Sequence, residues 1–223
     1  LQELQILRIY IDSADLVEIR EALVSGYVHG VTTNPTLLRR AGVRADAVPD
    51  LAQQVLAYGA RELHLQTYAE DVQGIIRDGA ALAGLDPARV VVKVPATAQG
   101  FAAASQLSSR GLRVTLTAVY TVRQAILAHA VGAHYIAVYV GRMRDRGLDA
   151  AQLVAQMQKV LDVQRSSVEI LAASVRAPEE IETLAEAGVA TVTLPLKVLR
   201  QLPESPATSA AAATFLEDSQ VLR

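Results

Sequence analysis

Lys93 is the residue whose position most invites chemistry. It lies inside Val90-Val91-Val92-Lys93-Val94-Pro95-Ala96-Thr97, a run that otherwise reads as a strand buried on both faces. An ammonium group is rarely buried without a partner. Strand alternation puts Val91, Lys93 and Pro95 on one face and Val92 and Val94 on the other. A free lysine has a pKa near 10.4, so on the order of one in 10³ is neutral at pH 7. Burial penalises the charged form, and a neutral amine can form a Schiff base with a ketone. The competing reading is a structural lysine paired with a carboxylate such as Asp12. Of 21 basic residues only Lys93, Lys159 and Lys197 are lysines. Lys159 falls in an amphipathic stretch and reads as solvated. Lys197 follows the last strand-like run and is a weak further cation for an anion site.

Other polar residues close apolar runs in the same way. Asp12 ends Ile9-Tyr10-Ile11-Asp12-Ser13. It either caps the next helix, a position that favours Asp and Ser, or stays free if Ser13 or Asp15 takes that role. Thr32-Thr33-Asn34-Pro35 is either a turn into a helix with Pro35 near its first position, or a polar wall at a strand end. Gln66 with Thr67, Thr117, Tyr139 and Ser174 end four further runs. Arg142 and Arg176 lie just beyond two neighbouring ends, and Ser174-Val175-Arg176 opens a helix with Pro178 in its first turn. A hydroxyl, two arginines and the free N–H groups of a helix start make an anion site suited to phosphate.

These residues need a scaffold that brings strand ends together. Strand-like runs occur at residues 6–13, 29–33, 62–68, 90–96, 113–119, 135–140, 169–174 and 191–195. Helical patterns at 14–25, 50–58, 69–82, 98–110, 121–129, 148–163, 177–186 and 196–201 separate them. Asp50 and Pro178 read as helix-start residues, and several helices end near glycine, among them Gly26 and Gly59. Such alternation predicts a parallel sheet. An open doubly wound sheet also fits. The count of eight, the regular spacing and the lack of a Gly-rich turn after the first strand favour a closed (β/α)8 TIM barrel. The expectation is one domain over residues 1–223, with an extra helix around 210–218 that packs on this barrel or on a neighbour's. In such barrels the chemistry sits at the C-terminal strand ends, where these polar residues fall, and Lys93 points inward.

Composition narrows the class. Net charge is −2, so neither nucleic acid nor an anionic membrane is the expected partner. There is no cysteine, and His29, His64, His129 and His134 show no metal-ligand spacing, so no metal site is expected. No apolar run reaches the roughly 18 residues of a membrane span. Leu1-Gln2-Glu3-Leu4 lacks the basic start and apolar core of a signal peptide, and the expected location is cytoplasmic.

The sequence resembles the transaldolase family, most closely its small members and the fructose-6-phosphate aldolases. The segments that carry the resemblance are "IDSAD" at 11–15, "GVTTNPTLL" at 30–38, "VVVKVPATAQG" at 90–100, "YVGR" at 139–142, "LAASVR" at 171–176 and "TVTLPLKVL" at 191–199. The resemblance implies a class I aldolase barrel, with Lys93 as the Schiff-base residue and Asp12 bonded to substrate hydroxyls and assisting proton transfer. Asn34, with Thr32, would contact the donor, and Arg142, Ser174 and Arg176 the phosphate. No cofactor or metal is implied, because the iminium is the electron sink. Transaldolases typically carry a glutamate where this chain has Gln66, and differ around Thr117 and Tyr139. There the chain is similar to the aldolases, which hold a catalytic water with Gln, Thr and Tyr. Val138 departs from a proline common to both groups. The implied reaction is cleavage of fructose 6-phosphate to dihydroxyacetone and glyceraldehyde 3-phosphate. The alternatives are transfer of the dihydroxyacetone unit between sugar phosphates and a non-catalytic barrel that binds a sugar phosphate. Relatives form rings and double rings, which implies a homo-oligomer, a pentamer or decamer.

Overall fold

The computed structural model describes residues 7–222. Eight parallel strands close into one barrel in sequence order: β1 (Arg8–Asp12), β2 (Val28–Thr32), β3 (Glu62–Gln66), β4 (Val90–Pro95), β5 (Val114–Val119), β6 (Tyr135–Tyr139), β7 (Glu169–Ala173) and β8 (Thr191–Leu194). Strand β8 pairs with β1 from Arg8↔Thr191 to Ile11↔Leu194 and completes the ring. All eight expected runs are strands. Most stop a residue or two short of the expected end, where the chain leaves the ladder to start the next helix. Ile6, the expected start of the first strand, lies outside the described residues.

Helices surround the barrel: α1 (Leu16–Val24), α2 (Pro35–Arg40), α3 (Val48–Ala57), α4 (Val72–Ala83), α5 (Ala98–Ser109), α6 (Val122–Ala130), α7 (Val140–Asp145), α8 (Ala150–Val163), α9 (Glu179–Glu186), α10 (Leu196–Gln201) and α11 (Pro206–Val221). The sequence anticipates a helix start at Pro35, where α2 begins, but marks no further extent for it, and it does not predict α7 as a helix. Each has six residues, too few for a 3.6-residue apolar period to show. Asp50 is not a cap: α3 begins two residues earlier, so Asp50 stands in its first turn. Helix α11 is longer than expected and, among the described residues, buries no apolar face on this barrel, with Phe215 and Leu216 largely exposed.

The β pleat divides the apolar residues into two cores. Val92, Val94, Leu63, Leu65, Ile136 and Val138 face outward and pack in the main core, between the sheet and the helices. Tyr10, Val91, Tyr135, Ala137 and Leu171 face inward and fill the lumen. Fully burying one such aliphatic side chain contributes roughly 1.5–3 kcal/mol. Lys93 shares the inward face with Val91, as the alternation predicts.

Candidate active site

The C-terminal mouth of the barrel opens into a cavity of about 390 Å³. Asp12, Asn34, Gln66, Lys93, Thr117, Tyr139, Arg142 and Ser174 line it. The structure thus brings together all the residues expected to act on substrate except Thr32 and Arg176.

Lys93 is 3% exposed, and its Nζ donates to the backbone oxygen of Thr33 at 2.9 Å. Burial pushes its pKa down, against the opposing charge of Asp12. Asp12 is free to act in this way because Asp15 takes the cap of α1, accepting from the backbone N–H groups of Val17 and Glu18. Burial pushes the Asp12 carboxyl up, against Lys93 and a hydrogen bond from Thr32. Both shifts favour the neutral forms, while the charge of each group opposes the shift of the other. Thr32 donates to Asp12 Oδ1 at 2.7 Å and lies 2.7 Å from the Thr193 hydroxyl. It is fully buried and does not line the cavity, and its hydrogen bond holds Asp12.

Gln66 sits opposite Lys93 in the β3–β4 register. Asn34 lines the cavity while its side chain caps α2 through the N–H of Leu37. The Thr117 and Tyr139 hydroxyls are 3.1 Å apart. Burial raises the Tyr139 pKa, with the Thr117 hydrogen bond opposing, so the phenol keeps its proton at neutral pH. Strand β5 carries a register shift between Thr117 and Val119, with Ala118 at φ 60°. Ser174, just after β7, has φ 63°. Left-handed backbone costs a non-glycine residue roughly 1–2 kcal/mol, and such strain gathers at functional sites.

Arg142 is exposed and stands 5.2 Å from the centre of the Tyr139 ring. Gly141 lets α7 approach β7: a Cβ there would lie 2.2 Å from the Ser174 backbone oxygen. Arg176 does not line the cavity. It forms a two-pronged ion pair with Asp145 at 2.7 and 2.5 Å on the rim, because the carboxylate matches its fork in both spacing and charge. Lys197 is exposed on α10 and does not line the cavity either, so it is no part of an anion site here. Among the described residues no group of three or more His, Asp or Glu side chains is placed to hold a metal ion.

Sequence reasoning missed Arg40 and Thr193, which also line the cavity. Leu37 and Arg40 stand three apart on one face of α2, visible only once that segment is known to be helical. Thr193 alternates with Leu194 in β8, and the strand period alone points it inward.

The lower half of the lumen holds a second polar cluster, which the sequence did not reveal. Glu62 accepts from Tyr10 at 2.7 Å, from Tyr135 at 3.1 Å, and from Arg113. His64 Nε2 is 3.4 Å from Glu62, and its Nδ1 is 3.0 Å from the Thr115 hydroxyl. A carboxylate only accepts, so Nε2 carries the proton and Nδ1 accepts from Thr115. Burial works against the Glu62 charge, but hydrogen bonds from His64, Arg113 and Tyr10 hold the carboxyl well below its ordinary range. Burial pushes His64 down to about 4, despite the neighbouring Glu62, so it is neutral at pH 7.

Known proteins similar to this chain agree on its lineage. The family model described as "Transaldolase/Fructose-6-phosphate aldolase" matches residues 9–222. A "Probable transaldolase" of Porphyromonas gingivalis is 37% identical over 213 residues, 95% of this chain and 96% of that protein. One from Heliobacterium modesticaldum is 34% identical over 212 residues, 95% of this chain and 97% of that protein. Two solved structures share the fold alone. A thiamine phosphate pyrophosphorylase from Pyrococcus furiosus matches at TM-score 0.60 and 15% identity, over 90% of this chain and 96% of its own. A putative phosphonomutase from Burkholderia cenocepacia matches at 0.65 and 12%, over 95% and 93%. With its barrel and the family's motifs in order from the first strand to the last, this chain belongs to the transaldolase/fructose-6-phosphate aldolase family.

Proposed function

We propose that the protein is a Schiff-base aldolase that reversibly cleaves fructose 6-phosphate to dihydroxyacetone and glyceraldehyde 3-phosphate. The observation that carries this reading is the pairing of Tyr139 with Thr117 in the cavity that holds Lys93 and Gln66. Neutral Lys93 attacks the C2 carbonyl, and loss of water leaves an iminium. A water held by Gln66, Thr117 and Tyr139 takes the proton of the C4 hydroxyl. The C3–C4 bond breaks, its electrons enter the iminium, and glyceraldehyde 3-phosphate leaves. The enamine is protonated at C3 and hydrolysed to dihydroxyacetone. Asp12 exchanges protons during carbinolamine formation and collapse, Asn34 orients the donor hydroxyls, and Arg142 with Ser174 receives the phosphate. Arg176 joins them only by leaving Asp145.

The amide at Gln66 supports aldolase over transfer chemistry. A carboxylate can relay a proton through water, whereas an amide can only orient the water, which leaves the phenol of Tyr139 to move the proton. The relatives named as probable transaldolases favour the second reading, in which the enamine waits for an acceptor aldehyde. Incubation with fructose 6-phosphate alone separates the two. The aldolase releases free dihydroxyacetone; release that requires erythrose 4-phosphate overturns the reading in favour of transfer. Borohydride with dihydroxyacetone is expected to leave a stable adduct on Lys93. Phosphate binding without an adduct would leave a sugar-phosphate-binding barrel.

A further inference from the structure

Tyr139 is the last residue of β6 and Val140 the first of α7, so the residue that bears the phenol leads directly into this short helix. The helix is fastened on one side to α9 and the loop before it. Asp145 grips Arg176, and Arg144 reaches Glu180 Oε2 at 2.7 Å. On the other side the fastening is aromatic. Arg146, the residue that closes α7, stands 4.7 Å from the centre of the Tyr120 ring. Tyr120 in turn meets Tyr139 edge-on, with ring centres 6.0 Å apart and planes at 72°. The Tyr139 ring therefore has the Arg142 guanidinium at 5.2 Å and the Tyr120 ring beside it, while its hydroxyl rests on Thr117.

Tyr120 itself is well anchored and lies outside the cavity lining. Its backbone N–H donates to Gln124 Oε1 at 2.9 Å, within the capping box of α6. Gln124 Nε2 donates to the Ala96 oxygen at 3.2 Å, in the loop after β4. The strained Ala118 and the register shift beside it lie just before Tyr120. The loop beyond β5 is thus fixed from below and bears on the Tyr139 ring.

We propose that Tyr120, clamped by Arg146, is a positioning residue for Tyr139. It touches no substrate. It limits rotation of the Tyr139 ring, and so keeps the phenol hydroxyl on Thr117, where it can exchange a proton with the water that serves the C4 hydroxyl. This inference rests on the reading of Tyr139 as the proton-transfer group. Edge-to-face contact needs a ring and no hydroxyl, so phenylalanine at position 120 preserves the function and alanine does not.

The test uses the full chain with Tyr120→Ala, Tyr120→Phe, Arg146→Gln and Tyr139→Phe. Fructose 6-phosphate turnover is followed with and without an acceptor aldehyde, and Lys93 is trapped with dihydroxyacetone and borohydride. Tyr120→Ala is expected to lower kcat on the order of ten- to a hundredfold with KM within about twofold, the range for a displaced reacting group. Tyr120→Phe keeps wild-type kcat, and Arg146→Gln loses about two- to fivefold, as one exposed cation–π contact warrants. Trapping at Lys93 stays complete in all of these variants. Wild-type kcat in Tyr120→Ala overturns the proposal. So does loss of kcat, KM and trapping together, which is what a merely structural residue would give, and so does failure of phenylalanine to substitute. Wild-type kcat in Tyr139→Phe overturns the assignment of Tyr139 and this proposal with it. Loss confined to Tyr139→Phe overturns this proposal alone.

Discussion

Glu62 and Lys93 lie inside the same barrel, about 13 Å apart along the strand direction, in opposite situations. Glu62 accepts from two tyrosines and an arginine, with a histidine close by, and stays charged. Lys93 donates to one backbone oxygen, and burial disfavours its charge. The lower end also has packed aromatic partners: Tyr10 meets His64 edge-on at 5.4 Å, His64 meets Tyr135 at a tilt at 5.1 Å, and Arg8 pairs with Glu169 beside them. The upper end opens into the cavity and carries its strain at Ala118 and Ser174. A charge with every hydrogen bond satisfied stiffens a core, whereas a charge left short of partners keeps its reactivity. The difference between the two ends is thus one between stability and chemistry.

Swapping each centre for a near-isosteric neutral group breaks the comparison most sharply. Lys93→Met is expected to reduce fructose 6-phosphate turnover by on the order of 10³-fold or more and abolish borohydride trapping, with no fall in melting temperature. A large loss of stability in that variant would mean that Lys93 is part of the framework after all. Glu62→Gln should behave in the reverse way. Removing one partner of a buried ion pair strands Arg113, and the expected loss is about 3 to 4 kcal/mol in urea unfolding. Trapping at Lys93 in the protein that remains folded should be complete. Full stability in Glu62→Gln would show that the lower network does not hold the barrel.

The two ends were not equally legible in the sequence. Lys93 announced itself because an amine in a valine run breaks a pattern, and the barrel's alternation then said which way it pointed. Asp12, Gln66, Thr117 and Tyr139 were found by their places at strand ends. Glu62 and His64 were not found, although they stand on the inward face of β3 below Gln66. Their partners Tyr10, Arg113 and Tyr135 come from distant parts of the chain, and nothing local marks them as one cluster. Arg176 shows the opposite failure. Its position was read correctly, but its ion pair depends on Asp145 in a helix too short to leave a periodic trace. Thr32 was legible as a polar strand end, but its hydroxyl is turned to Asp12 and Thr193 and it does not line the cavity.

A pH series sharpens the comparison, because the lower end should set acid stability. The folded value for His64, about 4, lies below the ordinary value of 6.5. Between these the unfolded chain binds more protons, so stability falls as pH falls from about 6.5 to about 4. The loss attributable to His64 is up to about 3 kcal/mol. His29 and His134, also pushed down by burial, add to it with the same sign. Below about 4.5 the depressed Glu62 adds its own loss as it is protonated. His64→Gln keeps a donor toward Glu62 and an acceptor toward Thr115 without titrating. Urea unfolding at pH 7 and pH 5 should show a smaller loss in this variant than in the wild type. Equal losses would remove His64 from the account.

The smallest expected effect belongs to the upper end and probes its anion wall. Gly141 stands where a methyl group would meet the Ser174 backbone oxygen at 2.2 Å and the Ser174 hydroxyl at 2.8 Å. Gly141→Ala must push α7 away from β7, and Arg142 moves with it. Lys93, on β4 across the lumen, is untouched. The expected outcome is a KM for fructose 6-phosphate raised about tenfold, the equivalent of roughly one charged hydrogen bond weakened. Trapping of unphosphorylated dihydroxyacetone should be unchanged. The split matters more than the size. Equal losses for the phosphorylated and unphosphorylated ligands would mean that the α7–β7 approach supports the whole mouth of the barrel, and the division between an anion wall and a reactive lysine would have to be abandoned.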